Sequence, residues 1–318
     1  MKIQPFRMSA ARDLMKEDNS TMKFTPLILG VDIGGSHITT GIVDIEKKGL
    51  IPKSIKRKHI DSSGSAESIL KGWTEIINES FECCEGEIKR IGIAMPGPFD
   101  YENGISLIKD QDKFKSLYQL NIKQELAQRL NVQLSDIKFI NDAAAFMQGE
   151  VFCGAAKGYP RALGLTLGTG LGSAVVVDGQ SKDAELWSSK FLNGIAEDYF
   201  STKWFVNKYK SLTGIELDGV KELADVVKTD LYAMQVFNEF GRGLGYFLAD
   251  IIKETKSEVV ILGGNISQAF NLFAPHLIEN LKALHLDTEI KITELNEHAA
   301  LIGAASSWDL TVNKTEKI

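Results

Sequence analysis

Asn141-Asp142 stands between a short apolar run, Lys138 to Ile140, and an alanine-rich stretch that follows it. A carboxylate there could orient an attacking hydroxyl and accept its proton. It could equally be an N-cap that satisfies the first N–H groups of a helix and does no chemistry. Its company favours chemistry. Three glycine-rich turns each follow an apolar run: Asp32-Ile-Gly-Gly-Ser36, Leu167-Gly-Thr-Gly-Leu-Gly-Ser173 and Val259-Val-Ile-Leu-Gly-Gly-Asn265. Glycine lets backbone N–H groups come close to an anion, so Gly34, Gly35, Ser36, Gly168, Thr169, Gly170, Gly263 and Gly264 are candidate phosphate contacts. Asp32, at a strand end, could position a metal ion or its water, and Asn265 is read as a left-handed residue. Glu185 and Glu197 lie in an irregular segment where they could accept hydrogen bonds from a ligand's hydroxyls, although most such carboxylates belong to a solvated face. The turns are neither a dinucleotide fingerprint, which would need Gly where Ser173 stands, nor a P-loop, since no G-x-x-x-x-G-K-[ST] occurs. Phosphate cradles with one well-placed carboxylate are the parts that phosphoryl transfer requires.

Those residues need elements to hold them. Leu27 to Ile33 reads as a buried strand and Ile38 to Ile45 as a second, joined through Gly-Gly-Ser as a hairpin. Ser65 to Phe81 has helical spacing with Ser65 as cap, and Arg90 to Ala94 is a strand ending in Met95-Pro-Gly-Pro98. Leu163 to Val177 forms another glycine-punctuated β pair. Helical patterns cover Ala196 to Lys210 and Tyr232 to Lys256. A strand at Val259 to Leu262, a helix near Ser267, a strand at Ile290 to Ile292 and a last helix from about His298 follow. The three glycines of Phe240-Gly-Arg-Gly-Leu-Gly245 interrupt a helix at about 1 kcal/mol each relative to Ala, so something must approach closely. A neighbouring backbone is the commoner reason and a nucleotide base the alternative. The pattern predicts a two-domain α/β protein, with an extension at 1–24, a smaller domain at 25–140 and a larger one at 141–303. The final helix, about 304–318, could return to the first domain.

Composition excludes several partners. The 318 residues are 44% hydrophobic and 25% charged, with a formal charge of −6 and no basic block, which offers nothing to nucleic acid or an anionic membrane. The first residues lack the apolar core of a secretory signal. The least charged stretch, Ala162 to Val177, is broken by glycines and falls short of the roughly 20 apolar residues that cross a bilayer. Cys83, Cys84 and Cys153 are odd in number with two adjacent, which suits a reducing cytoplasm better than a disulfide framework.

Taken in order, L-G-V-D-I-G-G-S, M-P-G-P, I-N-D-A-A-A, L-T-L-G-T-G-L-G-S-A and V-V-I-L-G-G-N-I-S resemble the ROK family (repressors, open reading frames and kinases) of the actin-like ATPase superfamily, from about Leu27 to Ser307. The resemblance implies an actin-like ATPase fold (ribonuclease H-like), with a cleft between two α/β domains. Mg-ATP would be held by the Gly35 and Gly170 hairpins, with Asp32 on the Mg2+ indirectly. A hexose would lie beside Gly97, Asn141 and Asp142, contacted by Glu185 and Glu197, and Asp142 would take the proton of its primary hydroxyl. A glucokinase-like activity is the expectation, and a homodimer is left open. Many family members carry G-E-x-G-H and a cysteine zinc site where this chain reads Ala184-Glu-Leu-Trp-Ser188. In that respect it looks closer to the zinc-free polyphosphate glucokinases, which leaves polyphosphate as an alternative donor. Lys113-Phe-Lys-Ser-Leu-Tyr118 replaces an asparagine-containing segment of the sugar pocket, so the sugar is open too, and His37 stands where Lys or Asn is more usual. A sugar sensor or regulator is the competing class, but residues 1–24 are too short for a helix-turn-helix module. Five scattered histidines and no clustered cysteines predict no structural zinc. Metal analysis of purified protein should find none in stoichiometric, chelator-resistant form, and such zinc would contradict the reading.

Overall fold

A computed structural model describes residues 26–309 apart from 84–87, 89, 110 and 112. The expected extension at 1–24 and the tail of the final helix beyond 309 lie outside the described residues. Strand β1 (Leu27–Ile33) is almost wholly buried and pairs antiparallel with β2 (His37–Asp44), with Ile33 opposite Ile38. Gly34-Gly35-Ser36 therefore turns the expected hairpin. Two short strands, β3 (Gly49–Leu50) and β4 (Lys56–His59), flank β2. On the other side β5 (Ile91–Met95) runs parallel to β1, and β8 (Ile137–Asn141) parallel to β5. Parallel neighbours need crossovers. The first is helix α1 (Ala66–Phe81), capped by Ser65, whose Oγ accepts the Ser68 N–H, and it buries Ile69, Trp73, Ile76 and Ile77. The second contains the small hairpin β6 (Phe99–Asp100) and β7 (Ile105–Ser106), then α2 (Ile122–Leu130).

Helix α3 (Asp142–Cys153) leaves β8 and enters a second sheet built on the same plan. There β9 (Arg161–Leu167), β10 (Leu171–Val177) and β11 (Gln180–Asp183) form an antiparallel meander, to which β14 (Val259–Gly263) and β15 (Glu289–Ile292) add in parallel. Between β11 and β14 lie the hairpin β12 (Lys190–Phe191) and β13 (Gly194–Ile195), then α4 (Ala196–Tyr199), α5 (Thr202–Thr213), α6 (Val220–Val226) and α7 (Leu231–Thr255). Helix α8 (Phe270–Ala283) and the last described helix, α9 (Ala299–Ser306), complete the chain.

Two readings change, and a third, the close backbone approach to α7, holds. The single helix expected over Ala196–Lys210 breaks at Phe200-Ser201. The break lets both the N–H and the Oγ1 of Thr202 donate to the Gly168 carbonyl, at 2.8 and 3.0 Å, while Phe200 buries among Phe191, Phe240 and Phe247. The left-handed residue after β14 is Gly264 (φ +81°), not Asn265, at a place where a Cβ would lie 2.4 Å from the Leu167 carbonyl oxygen. The gap in α7 is filled by backbone, as a Cβ at Gly241 would meet the Phe273 carbonyl oxygen of α8 at 2.3 Å.

The closest approaches converge on α9. A Cβ at Gly303 would lie 1.7 Å from the Ala145 carbonyl oxygen of α3, and one at Gly149 of α3 would lie 2.1 Å from that of Ala299. From the first sheet, Gly30 and Gly92 press equally hard on the Leu301 and Ala304 carbonyls. Gly303→Ala should overpack this contact and cost at least about 1–3 kcal/mol. A chemical-denaturation midpoint unchanged from wild type would contradict that packing.

Candidate active site

Three strand ends deliver the called residues to one cleft of about 1060 Å³. At the end of β5 the chain passes through Pro96-Gly97-Pro98, with a cis bond before Pro98. The Gly97 carbonyl accepts a hydrogen bond from Gln111 Nε2 at 3.0 Å. At the end of β8, Asn141 is the N-cap: its Oδ1 accepts the Ala144 N–H at 3.0 Å, and its Nδ2 donates to the Tyr101 hydroxyl at 3.2 Å. Tyr101 in turn donates to the Met95 carbonyl at 3.1 Å. The N-cap alternative for Asp142 therefore falls to its neighbour. Asp142 is the first helical residue, exposed to the cleft, with Oδ1 accepting only the adjacent Ala143 N–H at 2.9 Å.

The second sheet supplies the opposite wall. The β9–β10 turn closes on itself through Gly168 N–H to the Gly170 carbonyl at 3.1 Å, leaving Thr169 exposed at its tip. Glu197 braces this turn, its Oε2 accepting the Leu171 N–H at 3.0 Å, so one oxygen of this called ligand-binding carboxylate is already engaged. Beyond β11, Glu185 adopts a left-handed conformation (φ 50°), with its N–H donating to Asp183 Oδ1 at 2.9 Å. The Leu186 N–H donates to Ser173 Oγ at 2.9 Å, which pins the segment beside the turn.

The cleft thus brings together Gly97, Asn141, Asp142, Gly168, Thr169, Gly170, Glu185, Glu197 and Gly264. Asp32, Gly34, Gly35, Ser36 and Gly263 are not in its lining. Gly263 is buried under the Phe146 ring, which a Cβ there would meet at 2.5 Å. Gly34 spends its N–H on the His37 carbonyl at 2.9 Å, and Ser36 shares a hydrogen bond with the His37 ring. Asp32 is linked to the site by field: burial first, then repulsion from Asp142, push its carboxyl up to about 7, against the pull of Arg57. The cleft walls leave Asp142 reachable but strip it of much of its bulk water, and that desolvation raises its carboxyl, opposed by the Ala143 N–H and the Lys113 ammonium. Two mutually repelling carboxylates, neither in an ion pair with a described cation, suit a hard divalent ion carrying part of its water shell, so the residues present fit Mg2+ held through water from Asp32. Among the described residues no group of three or more His, Cys, Asp or Glu is close enough to hold a metal by protein ligands alone.

The sequence does not single out Tyr101 or Asp183, and Lys113 and Trp187 stand out in it only within segments that depart from the family pattern; all four line the cleft. Asp183, raised by burial and by repulsion from Glu185 and Asp142, had one legible signal, its place two residues before a called carboxylate. Tyr101 had none, because its role is to hold Asn141 from a separate loop.

Residues 28–183 match the model of the ROK family. This chain belongs to the ROK family. The glucokinase of Thermotoga maritima is 29% identical over 315 residues, covering 88% of this chain and 96% of its own. Among solved structures, a ROK family glucokinase from Streptomyces griseus in complex with glucose and AMPPNP superposes with a TM-score of 0.69 at 23% identity, over 88% of this chain and 98% of that one. An inorganic polyphosphate/ATP-glucomannokinase from Arthrobacter sp. strain KM does so at 0.67 and 25%, over 90% and 100%. The ROK chain therefore has the α/β actin-like ATPase fold, and among its described residues no helix is long and apolar enough to cross a membrane.

Removing the Asn141 cap should be felt in stability before chemistry. Asn141→Ala should lower unfolding free energy by about 0.5–2 kcal/mol while Asn141→Asp, which keeps the cap, should not. Equal midpoints for both variants would contradict the cap.

Proposed function

We propose that this sugar kinase of the ROK family transfers the terminal phosphoryl group of Mg-ATP to the primary hydroxyl of a glucose-like hexose, in the cytoplasm, with Asp142 as general base. The observation that carries it is the Asp142 carboxylate, uncapped and exposed at the start of α3, in one cleft with the Gly168–Gly170 turn. The hexose would lie beside Gly97, Asn141 and Asp142, with Glu185 and the free oxygen of Glu197 accepting from its hydroxyls. Asp142 orients the primary hydroxyl and receives its proton as the new O–P bond forms. The backbone of Gly168 to Gly170 and the Thr169 hydroxyl line the phosphates, with Gly264 beside them, while the β1–β2 turn meets the cleft lining through the stem of Lys113 at Gly35. Asp32 would hold Mg2+ through water, and the ion would supply neutralisation of phosphate charge. We take 25–140 and 141–303 as domains that close on the sugar, with α9 packed on the first sheet, and expel water that would otherwise hydrolyse the nucleotide. The likeness to a kinase named for two donors favours polyphosphate as the alternative donor.

A coupled assay of ADP release across glucose, mannose, N-acetylglucosamine, N-acetylmannosamine and fructose, repeated with polyphosphate by product detection, tests the reading. Activity on one or more is expected, and activity on none would favour a sensor. With the best sugar, Asp142→Asn should lose roughly 100- to 10,000-fold in kcat with only a modest change in sugar affinity. Wild-type turnover in that variant would remove Asp142 from the mechanism. Solution scattering should show a smaller radius of gyration with saturating sugar, and an unchanged profile would count against closure.

A further inference from the structure

The charge lining the cleft is one-sided. Asp142, Asp183, Glu185 and Glu197 contribute four carboxylates, and among the described residues Lys113 is the only lining cation. A polyphosphate chain entering such a cleft meets repulsion that one divalent ion offsets only in part. A lysine fixed there would matter more than one on an open surface.

Lys113 is held in place. Phe114, next to it, is fully buried in a left-handed conformation (φ 59°), edge-on to Trp73 at 5.6 Å, and its N–H donates to the Ser62 carbonyl at 2.7 Å. The Lys113 stem lies across the first glycine turn, since a Cβ at Gly35 would come within 3.3 Å of its Cδ. Its head group shares the cleft with Asp142. Lys58 and Lys208 are each paired with a glutamate, Glu75 and Glu239, but no carboxylate of the described residues lies within ion-pair distance of Lys113. Its charge is uncommitted. A loop lysine that merely drapes its stem over a surface would have no reason to lie between the β1–β2 turn and the base.

We propose that Lys113 is a catalytic residue, its ammonium placed to hold the phosphoryl group as it passes to the sugar. This rests on the sugar kinase reading above. The bond from phosphorus to the ADP oxygen breaks, the bond to the sugar oxygen forms, and the hydroxyl proton goes to Asp142. Lys113 stays protonated throughout and only donates hydrogen bonds. Charge in the loose transition state spreads over the three equatorial oxygens, and a lysine meets it with three rotatable donors on a flexible stem.

The test compares full-length wild type, Lys113→Met, Lys113→Gln and Lys113→Arg with ATP and the best sugar. Methionine keeps most of the stem, so its melting temperature should match wild type, and Lys113→Gln serves as a second neutral variant should methionine disturb folding. Both neutral variants should lose on the order of 100- to 1,000-fold in kcat, the scale of one preorganised donor, with sugar KM within about threefold. Lys113→Arg should recover part of the loss. Unchanged kcat, or a rise confined to the KM for ATP, would overturn the catalytic role while leaving the kinase reading intact. A wild type inert on every sugar would overturn both.

Discussion

Everything in the proposed site hangs on how closely α3 and α9 approach. Side chains at Gly303 or Gly149 would run into backbone carbonyls, so the two helices meet almost backbone to backbone, and Gly30 and Gly92 let the first sheet press on the same α9. Glu150, fully buried, locks the far end of α3 by accepting N–H groups from Ala155 at 2.7 Å and Leu295 at 3.1 Å, just ahead of α9. Helix α3 starts at the tip of a strand in one sheet and packs along strands β9, β10 and β11 of the other. Asp142 is its first residue. The position of the proposed base is thus fixed by contacts along the helix, from Ala145, within a turn of Asp142, to Glu150 toward the far end.

The electrostatics follow from that geometry. Burial is the largest cause that raises the carboxyls of Asp32, Asp142 and Asp183, and repulsion from Asp142 adds to it at Asp32 and Asp183. Such a cluster is costly without compensation, and an arrangement that costs stability is expected where function requires it. In the proposed reading the Mg2+ that accompanies the nucleotide and the Lys113 ammonium would supply positive charge, while the strand-end glycines would supply backbone close to anionic oxygen. Asn141 takes the capping duty, which leaves the neighbouring carboxylate for a hydroxyl.

Much of this was legible in the sequence because its signals are local. Apolar runs ended by glycine gave β1, β9 and β14 within a residue or two, and Ser65 marked the start of α1 where it is found. What was misread depends on contacts between distant segments. Nothing in Ala196–Lys210 announces that the helix must break at Phe200-Ser201 so that Thr202 reaches Gly168. Nor does the text around Gly264 show that the Leu167 carbonyl crowds it, which leaves no room there for a side chain, or that the positive φ falls on this residue rather than on Asn265. In the candidate site the pattern pointed to the glycine turns and to Asp142, but not to Tyr101, on the hairpin after β5, or Asp183, at the end of the edge strand β11.

The central claim is transfer to a primary hydroxyl by way of Asp142, and the product itself tests it most directly. Proton-coupled phosphorus NMR of the reaction with ATP and the best sugar should show a phosphate ester split by two methylene protons. Its appearance should be slowed with Asp142→Asn by the same factor as kcat. An ester split by a single anomeric proton, or one formed as fast by the variant, would contradict the account.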